Sequence, residues 1–222
     1  MSVIAETTHR SRWTGTADAE ERAHWRGIAE RVAAELESDA LQRDRANQDP
    51  TVELDLLREA GLVTLLQPAE FGGGGAHWET AFLVIRVLSR ADASVAQVLA
   101  YHYINSGNIG FAADPSVQER WHRKTTEGRW VWGDSVNPTD PDLELTVDGE
   151  GYRLNGLKRF STGASAGDVV LAAALVRGGE RDGQVLFVVL DHDRDGIRYL
   201  GDWDALGPVS YTHLTLPTTP YV

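Results

Sequence analysis

The stretch LNGLKRFSTGASAGD concentrates the side chains best suited to binding chemistry. A predicted β segment ends within it, and Phe160, Ser161, Thr162 and Gly163 follow. An aromatic face, two hydroxyls and backbone N–H groups suit a flat heteroaromatic ligand, because the ring can stack while its edge forms hydrogen bonds. The same pattern also fits a β-turn whose two hydroxyls bond the local backbone.

Other segments also contain candidate side chains. His102 lies in AYHYIN on a predicted helix, in line with Val95 and Leu99, and a histidine on an apolar face is more often a core residue than a base. It has no His or carboxylate at i+4, so no metal site is predicted. GDSVNPTDPD is either a second ligand loop or a turn-rich connection. The run Gly72 to Gly75 lacks the Gly-Lys-Ser/Thr ending of a phosphate loop, so we interpret it as a turn.

Composition excludes several classes of protein. The 222 residues include 33 acidic and 21 basic side chains, for a formal net charge of −12. Nucleic-acid binding relies on Lys and Arg, so this balance argues against it. The chain has no cysteine, which excludes disulfides and thiolate catalysis. No apolar run approaches the roughly 20 residues of a membrane span, and the N-terminus does not resemble a secretory signal. We therefore expect no nucleic-acid or membrane partner and a cytoplasmic location.

The first half of the chain has helical periodicity. We expect residues 1–16 to be a flexible N-terminus and residues 17–128 to form a helical domain. Apolar residues at helical spacing from Trp25 to Ala40 predict the first long helix. Asp92 is a predicted cap for a helix over about 93–112, and Asp114 caps the next, with proline at its first position.

The pattern changes near Gly128. RWVWGDS predicts a strand, LELTVDGEGYRLNG a hairpin, and VVLAAALV and VLFVVL buried strands, with GIRYL as a further candidate. No βαβ alternation is visible, which argues against a Rossmann domain. We predict an α+β protein, with a small antiparallel β domain over 129–207.

Five stretches together resemble the acyl-CoA dehydrogenase superfamily of flavoproteins, and most closely its branch of flavin-dependent monooxygenases typified by dibenzothiophene monooxygenase. They are LREAGLVTLLQPAEFGGGGAHW, ADASVAQVLAYHYIN, WVWGDS, GYRLNGLKRFSTGASAGD and GDWDALG. The resemblance implies a helical N-terminal domain, a middle β-barrel domain and a C-terminal four-helix bundle. The bundle would be missing from this chain.

The resemblance also implies residue roles. Flavin would lie between the β domain and the bundle, with Thr162 near the reactive edge of the ring. The predicted catalytic residues are His102 and Thr162, and His102 and Trp203 match substrate-pocket positions. The predicted flavin-binding residues are Trp132, Gly133, Asp134, Ser135, Phe160, Ser161 and Thr162.

The activity implied by the resemblance is that of a two-component monooxygenase. A separate flavin reductase would supply reduced FMN or FAD, which would react with O2 to oxygenate a small organic S-, N- or aromatic substrate. A full-length homotetramer is implied. One alternative is an FAD-dependent acyl-CoA dehydrogenase, but GDSVNPTDPDLE stands where dehydrogenases have Thr-Glu-Pro-x-Ala-Gly-Ser-Asp. Another is a flavin-free, non-catalytic module.

The final segment, PVSYTHLTLPTTPYV, has no charged side chain and no clear helical or strand period. Its codons, read back from VSYTHLTLPT, resemble a transposase sequencing adapter. We therefore interpret residues 208–222 as a non-native tail produced by adapter read-through, and we expect it to have no role in a core. A chain truncated in this way is expected to be inactive and to bind flavin weakly or not at all.

Overall fold

The computed structural model describes residues 15–112, 114–137 and 142–202, and for 111, 112 and 211–221 it describes the backbone alone. The chain divides into two compact units, one ending at Trp130 and the other beginning at Val131. The division lies close to the predicted boundary at 128/129. Trp203, and residues 1–14 of the predicted N-terminal segment, lie outside the described residues.

The first unit is built from helices, as predicted. Its described elements are α1 (Ala19–Glu37), α2 (Ala40–Ala46), α3 (Thr51–Glu59), a short 3-10 turn (Ala69–Phe71), α4 (Trp78–Leu88), α5 (Ala93–Ala112) and α6 (Pro115–Gly128). Among these helices, none combines the length and the apolar character needed to cross a bilayer.

The predicted helix caps are confirmed. Asp92 accepts a hydrogen bond from the Val95 N–H at 2.9 Å, and Asp114 accepts one from the Ser116 N–H at 2.9 Å. Each bond satisfies an N–H group that has no partner inside the helix.

The long first helix is shorter than predicted. It ends at Glu37, and Ala40 begins a separate helix. The Ser38 hydroxyl donates to the Glu35 carbonyl oxygen at 2.7 Å. Serine competes in this way for backbone groups that would continue the helix, which apolar spacing alone does not reveal.

The run Gly72–Gly75 is a tightly packed turn, in agreement with the sequence interpretation. A Cβ on Gly73 would lie 2.3 Å from the Gln67 carbonyl oxygen, and one on Gly74 would lie 2.8 Å from the Trp25 ring. The Gly74 N–H donates to the Thr64 carbonyl oxygen at 2.9 Å. These glycines are therefore required for close backbone packing.

The described residues of the second unit form a seven-stranded sheet. Its strands are β1 (Trp132–Ser135), β2 (Leu143–Asp148), β3 (Gly151–Thr162), β4 (Val169–Arg177), β5 (Val185–Asp191), β6 (Arg198–Tyr199) and β7 (Tyr211–Tyr221). The strand order is β1-β4-β2-β3-β7-β6, and β5 pairs with β4. The predicted hairpin is β2 and β3, which pair antiparallel from Leu143↔Gly156 to Asp148↔Gly151. An apolar core lies against the sheet, formed by residues such as Leu143, Leu154, Val170 and Leu190.

The α+β architecture is confirmed, but the sheet is mixed rather than entirely antiparallel. Strand β4 pairs in parallel with β1 and with β2, and antiparallel with β5. Apolar periodicity reports which face of a strand is buried and carries no information about strand direction. Parallel pairing requires a long connection, and β2 and β3 lie within the connection from β1 to β4.

Strand β5 is less buried than its apolar sequence predicts. Val185 is 47% exposed and Phe187 is 59% exposed, whereas Leu190 is buried. In the described part of the sheet β5 pairs with β4. The face of β5 that carries Val185 and Phe187 is exposed to solvent. The continuous run VLFVVL therefore does not mark a strand buried on both faces.

Residues Tyr211–Tyr221 form strand β7, which pairs antiparallel with β3 and β6. The sequence showed no strand period here and did not predict this. A sheet edge presents unpaired N–H and C=O groups, and an extended segment rich in Thr, Tyr and Leu can satisfy them. Such pairing uses backbone groups that every chain has. The adapter origin of residues 208–222 therefore remains a prediction.

Candidate functional site

Two of the predicted ligand-binding segments meet in the β unit. The hydroxyl of Ser135, at the end of β1, donates to the hydroxyl oxygen of Ser161, near the end of β3, at 2.7 Å. Both side chains are buried. The structure thus brings WGDS and FSTG together, although 26 positions separate the two serines.

Close backbone packing joins the same two segments. A Cβ on Gly133 would lie 2.7 Å from the Ala164 Cα and 3.0 Å from the Ala164 nitrogen. This distance is too short for any side chain, so Gly133 lets β1 lie directly against the turn that follows β3. Gly133 therefore has a packing role between β1 and this turn, and this role is compatible with the predicted flavin binding.

Phe160 has an uncommon backbone conformation. Its φ is +59°, and its side chain is 49% exposed. Bulky residues rarely occupy this left-handed region. The register between β3 and β7 shifts between Lys158 and Ser161, which marks an irregularity around Phe160. Backbone strain of this kind is concentrated at functional sites, and Phe160 directly precedes the paired Ser161 in the chain.

Thr162 provides a buried polar atom. It is the last residue of β3 and is 1% exposed, and its hydroxyl oxygen has no hydrogen-bond partner among the described residues. An unsatisfied buried hydroxyl costs about 1–3 kcal/mol. Such an atom fits a position at which a ligand supplies the missing partner.

The remaining residues of WGDS differ in exposure. The Trp132 side chain is 1% exposed and is one of the largest fully buried side chains of the described chain. Asp134, in contrast, is partly exposed. Of these two predicted flavin-binding residues, Asp134 has the more accessible side chain.

Lys158 is a feature of the site that sequence analysis missed. Its side chain is 1% exposed, and its ammonium group donates to the Asn137 carbonyl oxygen at 2.5 Å. This bond ties β3 to the loop that follows β1. Lysine is almost never fully buried unless it is paired. The available signal was its spacing, because Leu154, Gly156 and Lys158 share one face of a strand.

His102 belongs to the helical unit. It is fully buried on α5, and its Nε2 donates to the Val63 carbonyl oxygen at 2.7 Å. The neighbouring Tyr103 hydroxyl donates to the Leu62 carbonyl oxygen at 2.7 Å. Burial raises the pKa of Tyr103 well above its usual value. Both side chains therefore fix α5 to the 62–63 segment, and proton exchange through the His102 Nε2 would require that bond to break.

The predicted site residues are thus distributed over the two units. Ser135, Ser161, Thr162 and the neighbouring glycines are close together within the β unit. His102 is part of the helical unit, and Trp203 lies outside the described residues. Among the side chains that are described, no group of three or more His, Asp and Glu is arranged to hold a metal ion.

The family of the chain follows from its match to a known family profile. Residues 18–129, slightly more than half of the chain, match the family profile described as acyl-CoA dehydrogenase, N-terminal domain. The chain belongs to the acyl-CoA dehydrogenase family. The predicted family is confirmed, and the acyl-CoA dehydrogenase fold accounts for a helical unit followed by a sheet.

Two curated relatives show which members of the acyl-CoA dehydrogenase family the chain resembles. A Pseudomonas putida protein named "Probable FMNH2-dependent monooxygenase SfnC" is 32% identical over 180 residues, covering 81% of this chain and 45% of the relative. Dibenzothiophene monooxygenase of Rhodococcus erythropolis is 32% identical over 215 residues, covering 93% of the chain and 50% of the relative. The chain spans about half the length of these relatives.

Solved structures agree with the sequence relatives. Methanesulfinate monooxygenase MsuC of Pseudomonas fluorescens matches with a TM-score of 0.83 and 28% identity, over 88% of this chain and 51% of that one. Dibenzothiophene monooxygenase TdsC of Paenibacillus sp. A11-2, in a complex with FMN and indole, matches with a TM-score of 0.85 and 28% identity, over 90% and 51%.

Proposed function

We propose that the whole protein is a flavin-dependent monooxygenase that uses reduced flavin and O2 to oxygenate a small organic substrate. Relatives by sequence and by structure support this proposal, because they are named as monooxygenases. One of them is named as FMNH2-dependent, and a TdsC structure contains FMN. FMN is accordingly the flavin we propose. A separate flavin reductase as partner, a homotetrameric assembly and a cytoplasmic location belong to the same proposal.

The observation that carries the proposal is the buried hydroxyl of Thr162, which has no hydrogen-bond partner among the described residues. It lies next to Ser161, whose own hydroxyl is already bonded to Ser135. This arrangement suits the edge of a heteroaromatic ring, because it provides one polar atom without a partner among the described residues and neighbours that hold that atom in place. The residues present therefore fit a flavin.

The residues would divide the work as follows. Thr162 would form a hydrogen bond to the edge of the ring, and Phe160 would contribute an aromatic surface. The bond between Ser135 and Ser161 would hold Thr162 in position. Bound flavin would supply the oxygen-activating chemistry, while the protein excludes water and orients the substrate. Proton transfer by His102 and substrate contact by Trp203 remain proposals by family resemblance.

The central test compares Thr162→Val with wild-type protein expressed from the complete open reading frame of the source locus. Valine keeps the shape and removes the hydroxyl. We expect FMN affinity to fall about tenfold, equivalent to about 1.4 kcal/mol, while the unfolding free energy without flavin stays equal or rises. The matched control is Thr146→Val, because Thr146 bonds the Arg153 carbonyl oxygen at 3.3 Å in the β2–β3 hairpin. Unchanged FMN affinity in Thr162→Val would remove the assigned role.

A second experiment separates the proposal from its alternatives. Reduced FMN and O2 are supplied with a panel of thioether, sulfinate and indole compounds, and product and hydrogen peroxide are both measured. We expect Thr162→Ala to increase peroxide relative to product. Anaerobic bleaching of the flavin by an acyl-CoA would instead indicate a dehydrogenase. A protein that takes up neither FMN nor FAD would be a flavin-free module. Weak flavin binding by the 222-residue chain alone is a further prediction.

A further inference from the structure

Asp168 connects the turn after β3 to the start of β1 by two hydrogen bonds. Its carboxylate accepts a bond from the Val131 N–H at 2.7 Å, and its own N–H donates to the Val131 carbonyl oxygen at 2.9 Å. Val131 immediately precedes β1. A bond from a carboxylate to a backbone N–H is stronger than one between neutral groups, so this is a firm and directional attachment.

The turn between Thr162 and Asp168 is itself closed. The Gly167 N–H donates to the Gly163 carbonyl oxygen at 2.9 Å. A Cβ on Gly167 would lie 2.9 Å from the Val131 carbonyl oxygen and 3.3 Å from the Gly133 nitrogen. A short, compact turn therefore connects Asp168 to Thr162, and the same turn packs closely against Gly133.

The opposite side of the turn is held as well. The His192 N–H donates to the Asp168 carbonyl oxygen at 3.0 Å, and the His192 Nε2 donates to the Ser165 carbonyl oxygen at 2.9 Å. The His192 ring stacks on Tyr199, with ring centroids 4.7 Å apart. The turn is thus clamped between the segment after β5 and the beginning of β1, with Asp168 bonded to both.

We propose that Asp168 is a positioning residue for the flavin site, which it serves by holding Thr162 and Ser161 in register with Ser135. The inference rests on the proposed function. Asp168 does not itself need to touch the flavin. Without its carboxylate the Val131 N–H loses its acceptor, and the two segments are held together less firmly by the backbone bond and the serine pair that remain.

The first measurement is amide hydrogen exchange in the protein expressed from the complete open reading frame, without flavin. Asp168→Ala is expected to accelerate exchange at least about tenfold in peptides covering 131–135 and 161–168. The matched control is Asp182→Ala. Its carboxylate also accepts a backbone bond at 2.7 Å, from the Gly178 N–H, but in the β4–β5 hairpin. Asp182→Ala should leave both peptides unchanged.

The second measurement is FMN affinity, followed by fluorescence and by the visible circular dichroism of the bound flavin. Asp168→Ala is expected to raise the Kd for FMN about tenfold and to alter the dichroism at saturation. Asp168→Asn retains an acceptor oxygen and is expected to restore the Kd to within about threefold. If the alanine variant does not fold, Asp168→Glu replaces it, because the added methylene moves the carboxylate out of position.

The outcomes separate the inference from the proposed function. Accelerated exchange with weakened FMN binding, rescued by asparagine, supports the role of Asp168. Unchanged exchange overturns it, as does accelerated exchange with unchanged FMN affinity. If the wild-type protein binds no FMN, the proposed function is refuted instead. Hydrogen exchange alone then tests whether Asp168 holds the two segments together.

Discussion

The hydroxyl groups of Ser135 and Ser161 form a buried hydrogen bond of 2.7 Å. The bond joins β1 to the end of β3 and so places two sequence motifs with a predicted common ligand next to each other. Each serine can both donate and accept, so the pair satisfies one bond internally and retains further capacity.

The serine pair should show energetic coupling. Ser135→Ala and Ser161→Ala are each expected to lower the unfolding free energy by about 1 kcal/mol, because each leaves one buried hydroxyl without its partner. The double variant should lose less than the sum, with a coupling of about 0.5–1 kcal/mol. Urea unfolding of the four proteins measures this. Ser135→Ala combined with Ser38→Ala, whose hydroxyl bonds the Glu35 carbonyl in the helical unit, should be additive. An additive serine pair would contradict the coupling.

Gly133→Ala should disrupt the β unit. The new Cβ would lie 2.7 Å from the Ala164 Cα, which is a backbone atom that cannot yield without moving the turn. We expect a loss of about 1–3 kcal/mol in unfolding free energy. Gly27→Ala is the control, since a Cβ there meets only the Arg31 guanidinium at 3.8 Å. This helical substitution should instead stabilise by about 0.5–1 kcal/mol. If the two substitutions changed the unfolding free energy equally, the Gly133 site would have room for a side chain.

His102→Phe should destabilise the helical unit. The ring is replaced at similar size, but the Val63 carbonyl oxygen loses the donor that now lies 2.7 Å away. The expected loss is about 1–3 kcal/mol in unfolding free energy, measured by urea unfolding. His24→Phe is the control, because His24 is exposed on α1. If His102→Phe unfolds like wild type while oxygenation fails, His102 acts in chemistry rather than in packing.

Glu21 should make the helical unit sensitive to acid. Burial raises the pKa of its carboxyl group, but hydrogen bonds from Thr80 and His77 and the charge of His77 outweigh this, so the pKa lies below 4.5. A carboxyl whose folded pKa is lowered stabilises the fold fully above its unfolded pKa, and this contribution is lost as the pH falls through the folded pKa.

The test of Glu21 is urea unfolding from about pH 6 to about pH 3. Wild type should be more stable than Glu21→Gln near pH 6, and the difference should shrink as the pH falls below 4.5. Glu30→Gln, on the exposed face of α1, should show no such change. A constant difference between wild type and Glu21→Gln would exclude the carboxylate as its source.

Local sequence signals predicted much of the fold. Asp92 and Asp114 predicted two helix starts, because their caps satisfy backbone groups only a few positions away. The turn residues between β2 and β3 predicted a hairpin for the same reason. Family resemblance supplied the flavin-binding roles predicted for Thr162 and Ser135, whose individual patterns also fit ordinary turns.

Features that depend on distant neighbours were decided by the tertiary structure. The parallel pairing of β4 with β1 and β2 depends on how long connections run, and periodicity does not record this. From the sequence alone Lys158 would be assigned to the surface, whereas the structure buries it and pairs it with the Asn137 carbonyl oxygen. The attachment of Asp168 to Val131 spans 37 positions. The sequence by itself determined the family and the place of most helices and strands, since both follow from neighbouring side chains and their order. Only tertiary structure decided which polar atoms are paired and which, like the Thr162 hydroxyl, are left without a partner among the described residues, because that depends on the packing of segments far apart in the chain.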